Sequence, residues 1–483
     1  MTAKVLGAVA AIVFISHAPF VGLPYFWDEL GQFVPSALDI FHDGAWVPHS
    51  AVPNVHPPGV MAYLALVWRI FGYSIPATRL AMLGVAACAA VATFFLAKEL
   101  CAPAFLAVIF LLADPLFYAQ AMMAQLDMPA MLFTVLALLL FLKERHLWAA
   151  AACVALVLTK ETGLLAPLLF GLVLMRERRW RTALLYGASA VALAVWLWVL
   201  WRGTGQLFGD AGFTHYNIAY PLNPVRIATS LARRFYYLFI GDFRWIGAVV
   251  LIVAWKRFGA CWDRRWHVAA LLGVGHVLLV SLLGGATLER YLLPALPLLY
   301  IAIATAVWRF SPRWRTAGAL ALAGGLVVSS FVNPPFPFPF ENNLAMTDFV
   351  ELHSSAARFI EKTFPDKTVY TAWPLTAALR RPEFGYVRRG MATVETSDLH
   401  LSTLSHLDAS KVGVLVLYSR TWEPDWGVLR LHAVQRFLGK FYDYEPQMNA
   451  AQAHAILGLT KAAHWERRGQ WAEVYAKVLP VSR

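Results

Sequence analysis

Residues 5–30 read VLGAVAAIVFISHAPFVGLPYFWDEL. The apolar run is long enough to cross a hydrocarbon core of about 30 Å as a helix, and the stretch ends in a turn carrying two acids, Asp28 and Glu29. It follows a single Lys4 and holds no small-residue cleavage site, so a retained helix is expected and not a removed signal peptide. Similar runs recur near 78–97, 102–118, 128–142, 147–160, 162–175, 182–201, 243–256, 266–286, 291–308 and 315–333. With the first they predict roughly eleven crossings. Composition agrees: 59% of the 483 residues are hydrophobic and 14% charged, against about 25% charged in soluble domains. A purely water-soluble globular protein is excluded.

The net charge of +12 raises the question of nucleic acid, and the placement of the cations answers it. With the N-terminus inside, the inner loops hold 15 Lys and Arg against the four acids Glu99, Glu144, Glu177 and Asp263. They include Lys98, Lys143, Arg145, the cluster Arg176, Arg178, Arg179 and Arg181, and Arg309, Arg313 and Arg315. Cations are held on the cytoplasmic side of a membrane protein, so the basic excess is a topology signal and no nucleic-acid partner is expected. The four cysteines, Cys88, Cys101, Cys153 and Cys261, lie in or beside apolar runs. They resemble neither a disulfide framework nor a paired zinc motif.

An odd number of crossings places the chain after about residue 335 outside. That tail opens on Asn333-Pro-Pro-Phe-Pro-Phe-Pro-Phe340, where ring-locked φ angles make a stiff spacer. The boundaries that follow are a transmembrane domain over 1–335 and an extracytoplasmic α/β domain over 336–483. The tail pattern predicts strands at Thr368–Thr371 and Val412–Leu417, helices at 373–380, 427–440 and 450–463, and a hairpin over Trp465–Tyr475 turning at Gly-Gln.

The first outer segment, Tyr25 to Gly59, is long for a connection between helices, and long ordered loops are usually functional. It holds Asp28, Glu29, Asp39, Asp43, His42, His49 and His56, and no Lys or Arg. Gln32–Phe41 and Val60–Phe71 read as amphipathic helices lying in the interface. A carboxylate where the first helix leaves the bilayer is costly to desolvate, which suits a general base; an acidic pair at a helix end is otherwise simply solvated. Further outer loops repeat the pattern. Gln120–Pro129 carries Asp127 as its only charge, Leu158–Gly163 carries Lys160 and Glu161, and Thr287–Pro294 carries Glu289, Arg290 and Tyr291. Ionisable groups recurring at one membrane edge point to a shared polar cavity.

Five pieces, in order and on one side of the membrane, resemble the GT-C glycosyltransferases that use polyprenyl-phosphate sugars. They are Trp27-Asp28-Glu29, His56-Pro57-Pro58-Gly59 before an aromatic helix, Leu126-Asp127-Met128-Pro129, Leu158-Thr159-Lys160 and Arg290-Tyr291-Leu292-Leu293-Pro294. The branch they resemble holds the protein O-mannosyltransferases and the lipid A aminoarabinose transferases, and the likeness covers about residues 1–335. It implies an α-helical polytopic membrane protein of GT-C fold, with interfacial helices in its first outer loop, followed by the soluble α/β tail. It further implies inverting sugar transfer from a polyprenyl-phosphate donor to a lipid, glycan or protein acceptor at the outer face of a bacterial cytoplasmic membrane. Asp28 matches the family's base, with Glu29 and Asp127 positioning the acceptor or a divalent ion. Lys160 and Arg290 would neutralise the leaving lipid phosphate, with Tyr291 as a hydrogen-bond donor.

One departure stands out. The aminoarabinose transferases carry Glu-Lys before the Pro-Pro, and here the pair is Val55-His56. A phosphate-binding lysine and an acidic metal ligand are missing, and His56 could donate to phosphate only when protonated or through one N–H. The resemblance therefore does not carry aminoarabinose or lipid A over as substrates. A divalent metal on Glu29 or Asp127 with His215 is the one candidate cofactor. On the bland view, Lys160 and Arg290 snorkel with Glu161 and Glu289 as their ion-pair partners, while Arg233 and Arg234 contact headgroups or line a donor phosphate site. A secondary transporter with a solute-binding tail is the rival, but no internal repeat or matched broken helices accompany the charges.

Overall fold

The computed structural model describes residues 2–259, 263–334, 337–420 and 431–477. They form two compact units, one over Met1–Val21, Phe33–Asn333 and Glu341–Asn343, the other over Gly22–Gln32, Pro334–Phe340 and Leu344–Arg483.

The first unit is helical. Its helices are α1 (Thr2–His17), α2 (Val34–Asp43), α3 (Gly59–Phe71), α4 (Ile75–Glu99), α5 (Ala104–Ala113), α6 (Pro115–Gln120), α7 (Asp127–Leu142), α8 (His146–Thr159) and α9 (Leu165–Arg176). There follow α10 (Trp180–Leu184), α11 (Gly187–Thr204), α12 (Ala211–Thr214), α13 (Pro224–Phe239), α14 (Arg244–Phe258), α15 (Arg264–Leu282), α16 (Leu296–Trp308) and α17 (Pro312–Ser329). The longest, α4, starts where Ser74 accepts the Ala77 N–H at 3.2 Å with a proline in the first turn, which satisfies an orphan donor. It packs on α7, and α7 on α8, and its buried residues include the alanines Ala86, Ala89 and Ala90. Small residues allow close approach where lipid supplies no hydrophobic drive.

Each of the eleven predicted runs falls on a helix, but among the described residues only four helices are long and apolar enough to span alone: Ile75–Glu99, Trp180–Thr204, Arg264–Leu282 and Glu289–Trp308. The shortfall has a visible cause in the run at 102–118. Asp114 leaves helical geometry and caps α6, accepting from the Leu116 and Phe117 N–H groups at 2.9 and 3.0 Å. One apolar run thereby becomes two short helices. The outward faces of α11, α14 and α15 expose Val191, Trp198, Ile252, Trp255 and Val274, more apolar surface than a protein in water displays.

Helix α13 is absent from the sequence expectation. It is amphipathic, burying Arg226, Ser230, Arg234 and Tyr237, and meets α14 at an 83° bend. At the bend Asp242 and Phe243 adopt φ of 51° and 59°. The fully buried Arg244 ties it down, donating to Asp114 at 2.5 Å, Asp242 at 2.8 Å, and the Tyr237 and Tyr300 hydroxyls at 3.1 Å.

The second unit holds a five-stranded sheet of order β2-β1-β3-β5-β4, with β1 (Val369–Ala372), β2 (Thr393–Thr396), β3 (Val414–Tyr418), β4 (Thr460–Arg467) and β5 (Gln470–Ala476). β1 is parallel to β2 and β3, while β5 is antiparallel to β3 and β4. Central β3 is buried at every residue, as a strand covered on both faces must be. The helices are α18 (Ala345–Thr363), α19 (Leu375–Arg380), α20 (Leu401–Leu404), α21 (His432–Tyr442) and α22 (Ala450–Leu457).

The strands near 369 and 414 and the closing hairpin match the expectation. The helix predicted over 450–463 stops at Leu457, because Gly458 takes φ 66° and ends it; the chain then enters β4. The hairpin turns at Arg468-Gly469, both at positive φ, one step before the expected Gly-Gln. Three elements were not foreseen: β2, the one-turn α20, and α18, whose buried Phe349, Val350, His353, Ala356, Ala357 and Ile360 follow helical spacing. Residues 427–430 of the predicted helix at 427–440 lie outside the described residues.

The segment Gly22–Gln32 packs within this second unit. The Tyr386 hydroxyl donates to the Tyr25 carbonyl at 2.7 Å, Phe26 meets Phe349 edge-on at 5.2 Å, and Trp27 meets Trp373 edge-on at 5.4 Å. Gly31 lies against the Trp373 indole so closely that a Cβ would not fit.

Candidate functional site

Three chain turns in the first unit bring the outer-loop charges together. Asp127 is the first residue of α7. Lys160 follows α8 in an extended conformation and opens the 3-10 turn Glu161–Leu164. Arg290 and Tyr291 sit in the 3-10 turn Glu289–Ala295 that leads into α16. A fourth piece, Gly59 at the start of α3, lies against the Leu158 carbonyl so closely that any Cβ would collide. Only glycine lets α3 approach the end of α8 there.

Asp127 is the hub. Its Oδ1 accepts from Lys160 Nζ at 2.6 Å, and its Oδ2 faces Arg290 Nε at 3.2 Å. Arg290 also donates through Nη1 to Glu341 Oε2 and Gln125 Oε1, both at 2.8 Å. All three charged groups are buried, with relative exposures of 3% for Asp127, 8% for Lys160 and 3% for Arg290. Burial at this level is tolerable only with paired charge. The Tyr291 ring gathers three cations, with Lys160 at 4.2 Å, Arg290 at 5.6 Å and Arg234 at 5.8 Å from its centroid. His276 on α15 holds this turn, its Nε2 donating to the Tyr291 carbonyl at 2.7 Å. Neither lone-cation snorkelling nor pairing with Glu161 and Glu289 describes Lys160 and Arg290.

Those two acids have other partners. Glu289 pairs with Arg233 and accepts from Asn342 at 2.9 Å, so Arg233 is ion-paired and Arg234 is fully buried. Glu161 pairs with His56 Nδ1 at 2.8 Å. Burial raises the Glu161 carboxyl, but the His56 charge and hydrogen bond, helped by Lys160, outweigh it and hold the group down at about 2. A cavity of about 230 Å³ opens beside this pair. Its polar end is His56, Lys160, Glu161 and Tyr291, and its body is apolar, with Leu193, Leu197, Phe208, Phe213, Val280 and Leu283.

Asp28 and Glu29 belong to the second unit. Glu29 is fully buried and accepts the Phe26 N–H at 2.7 Å, bracing the turn in which Trp27 takes φ 45°; Asp28 is half-buried. His215 lies in a wide helical turn, His215–Ala219. The only group of three or more metal-type side chains among the described residues is Asp39, Asp43 and His49, which includes neither Glu29 nor His215. Asp39 accepts the His49 and Ser50 N–H groups at 2.9 and 2.8 Å, so it organises the loop by itself. Sequence reasoning missed Gln125, Glu341 and Asn342. The signal available for two of them was a run of polar residues, Glu341-Asn342-Asn343, directly after the proline-rich spacer.

The first unit is helical, with charges gathered at the ends of its helices, and the second is a small α/β unit. Over 98% of its length the chain matches ArnT, the lipid A aminoarabinose transferase, from Cupriavidus metallidurans in its undecaprenyl phosphate complex, covering 97% of that chain with a TM-score of 0.60 and 16% identity. The same protein in its apo state matches over 98% and 97% of the two chains, with a TM-score of 0.59 and 16% identity. At this identity the likeness is one of fold, and at that level it bears out the resemblance seen in the motifs. No protein-family model matches the sequence, and no curated protein sequence matches it.

Proposed function

We propose that the protein is an inverting glycosyltransferase. It takes a sugar from a polyprenyl-phosphate donor and transfers it to a lipid, glycan or protein acceptor at the outer face of a bacterial cytoplasmic membrane. The observation that carries this is the cavity, a mainly apolar chamber whose polar lining includes His56, Lys160, Glu161 and Tyr291, a polarity that suits an apolar chain with a charged head. The matched ArnT structure, of the same fold, contains undecaprenyl phosphate, which supports the same donor class here.

In this reading the acceptor hydroxyl attacks the anomeric carbon while the bond from that carbon to the phosphate oxygen breaks, with inversion. Asp28 takes the hydroxyl proton as general base. Glu29 braces the turn that presents Asp28. The electron pair leaves on the phosphate, where Lys160 and Arg290 meet the developing charge and Tyr291 and His56 contribute hydrogen bonds. Asp127 holds both cations in place. A divalent ion near the acceptor, if one is used, would take Glu29 or His215 as a ligand and would supply positive charge there. The membrane part crosses about eleven times, shorter helices combining end to end where one alone does not reach, and the domain over 336–483 lies outside.

The test fills the cavity. In a Leu197→Trp variant, transfer from a radiolabelled polyprenyl-phosphate sugar to envelope acceptors should show a KM raised about tenfold or more. Unchanged KM and kcat would mean that the donor does not lie there.

A further inference from the structure

We infer that His56 and Glu161 form a dyad that makes phosphate binding depend on protonation of His56, with Glu161 as the positioning residue. The inference rests on the polyprenyl-phosphate reading above. Glu161 accepts from His56 Nδ1 at 2.8 Å across 105 residues of sequence, which fixes the tautomer and the ring orientation. Phe213 meets the ring edge-on at 5.5 Å and Phe33 lies at 6.4 Å, so the imidazole has little freedom to turn. Its other nitrogen, Nε2, makes no hydrogen bond to any described residue, and His56 lines the cavity. With Nδ1–H committed to Glu161, a neutral ring can only accept at Nε2. A phosphate oxygen needs a donor, so only the imidazolium can hold it there.

Charge balance points the same way. The groups facing His56 are Glu161 and Lys160 at the end of α8, Asp127 at the start of α7, and Tyr291 in the turn before α16. In the set linked through these ion pairs, the four cations Lys160, Arg233, Arg234 and Arg290 meet the four carboxylates Asp127, Glu161, Glu289 and Glu341. The set is therefore neutral while His56 is neutral. An entering phosphate leaves it in deficit by at least one charge in a place where charge is poorly solvated, and taking up a proton on His56 is how the dyad repays it. Binding and protonation are thus linked, each favouring the other.

The test is the affinity of the full-length protein for undecaprenyl phosphate in detergent micelles, measured in steps between pH 5.5 and pH 8.5. Wild type, His56→Lys, His56→Gln and Glu161→Gln are compared, so that the ligand's own titration is common to all. Wild type should bind more weakly at pH 8.5, by about tenfold relative to His56→Lys, whose ammonium keeps its charge over this range. His56→Gln should bind weakly throughout. Glu161→Gln, which can still accept from Nδ1–H but lacks the charge, should lose affinity at a lower pH than wild type. A wild-type profile parallel to that of His56→Lys, or one unmoved by Glu161→Gln, would overturn the dyad while leaving the donor assignment standing. No binding by wild type at any of these pH values would overturn both.

Discussion

Asp127 spends both of its oxygens on buried cations, Lys160 at 2.6 Å and Arg290 at 3.2 Å, and a carboxylate so engaged cannot be removed quietly. Asp127→Asn leaves two buried positive charges without their hub. Stranding a buried charge costs about 3–5 kcal/mol, so thermal unfolding in detergent should show a large drop in Tm, and transfer should fall with it. A variant that melts like wild type would mean that water or lipid already compensates these cations. The sequence exposed Asp127, Lys160, Arg290 and Tyr291 because each is a charge or polar aromatic stranded at the end of an apolar run. It could not expose how they pair. Arg290 reaches Gln125 across 165 residues and Glu341 across 51, and such contacts follow from how the helices pack, not from spacing. Glu161 shows the same limit: next to Lys160 in sequence, it belongs to His56 in space.

At the scale of elements, the site depends on α3 reaching the end of α8. Gly59 is the point of contact, lying against the Leu158 carbonyl two residues before Lys160. Gly59→Ala must push the helices apart by several tenths of an ångström, and the nearest groups to move are Lys160 and Glu161. Positioning errors of this kind depress rate strongly, so kcat should fall about tenfold or more while Tm falls only modestly. Full activity in this variant would show that the approach is not needed for catalysis. Element existence was largely legible here, since hydrophobic runs and amphipathic periods marked α2, α3 and every predicted span. Element ends were not. Asp114 splits one run by capping a new helix, Gly458 halts another, and amphipathic α13 and α18 hid among polar residues because their apolar stripes are narrow.

For the whole molecule, the distribution of Lys and Arg predicts an interior N-terminus and an exterior tail. In a variant with the native cysteines replaced by serine and a cysteine at the exposed Asp408, a membrane-impermeant thiol reagent should label intact spheroplasts as fully as lysed ones. Labelling only after lysis would invert the topology. The fold class was readable from composition and run length, whereas the packing of Gly22–Gln32 within the second unit was not. The residues that achieve it, Tyr25, Phe26 and Trp27, look like an ordinary aromatic belt at a helix end, and their partners Phe349, Trp373 and Tyr386 lie more than three hundred residues away.

The central claim is that Asp28 takes a proton while the polyprenyl phosphate leaves. Its most direct test measures single-turnover transfer from a radiolabelled polyprenyl-phosphate sugar in proteoliposomes, with donor affinity measured in parallel, for wild type and Asp28→Asn. Loss of a positioned general base should slow transfer about 10²- to 10⁴-fold and leave donor affinity within about twofold. Transfer undiminished in Asp28→Asn, or solute accumulation in the liposomes without sugar transfer, would contradict it.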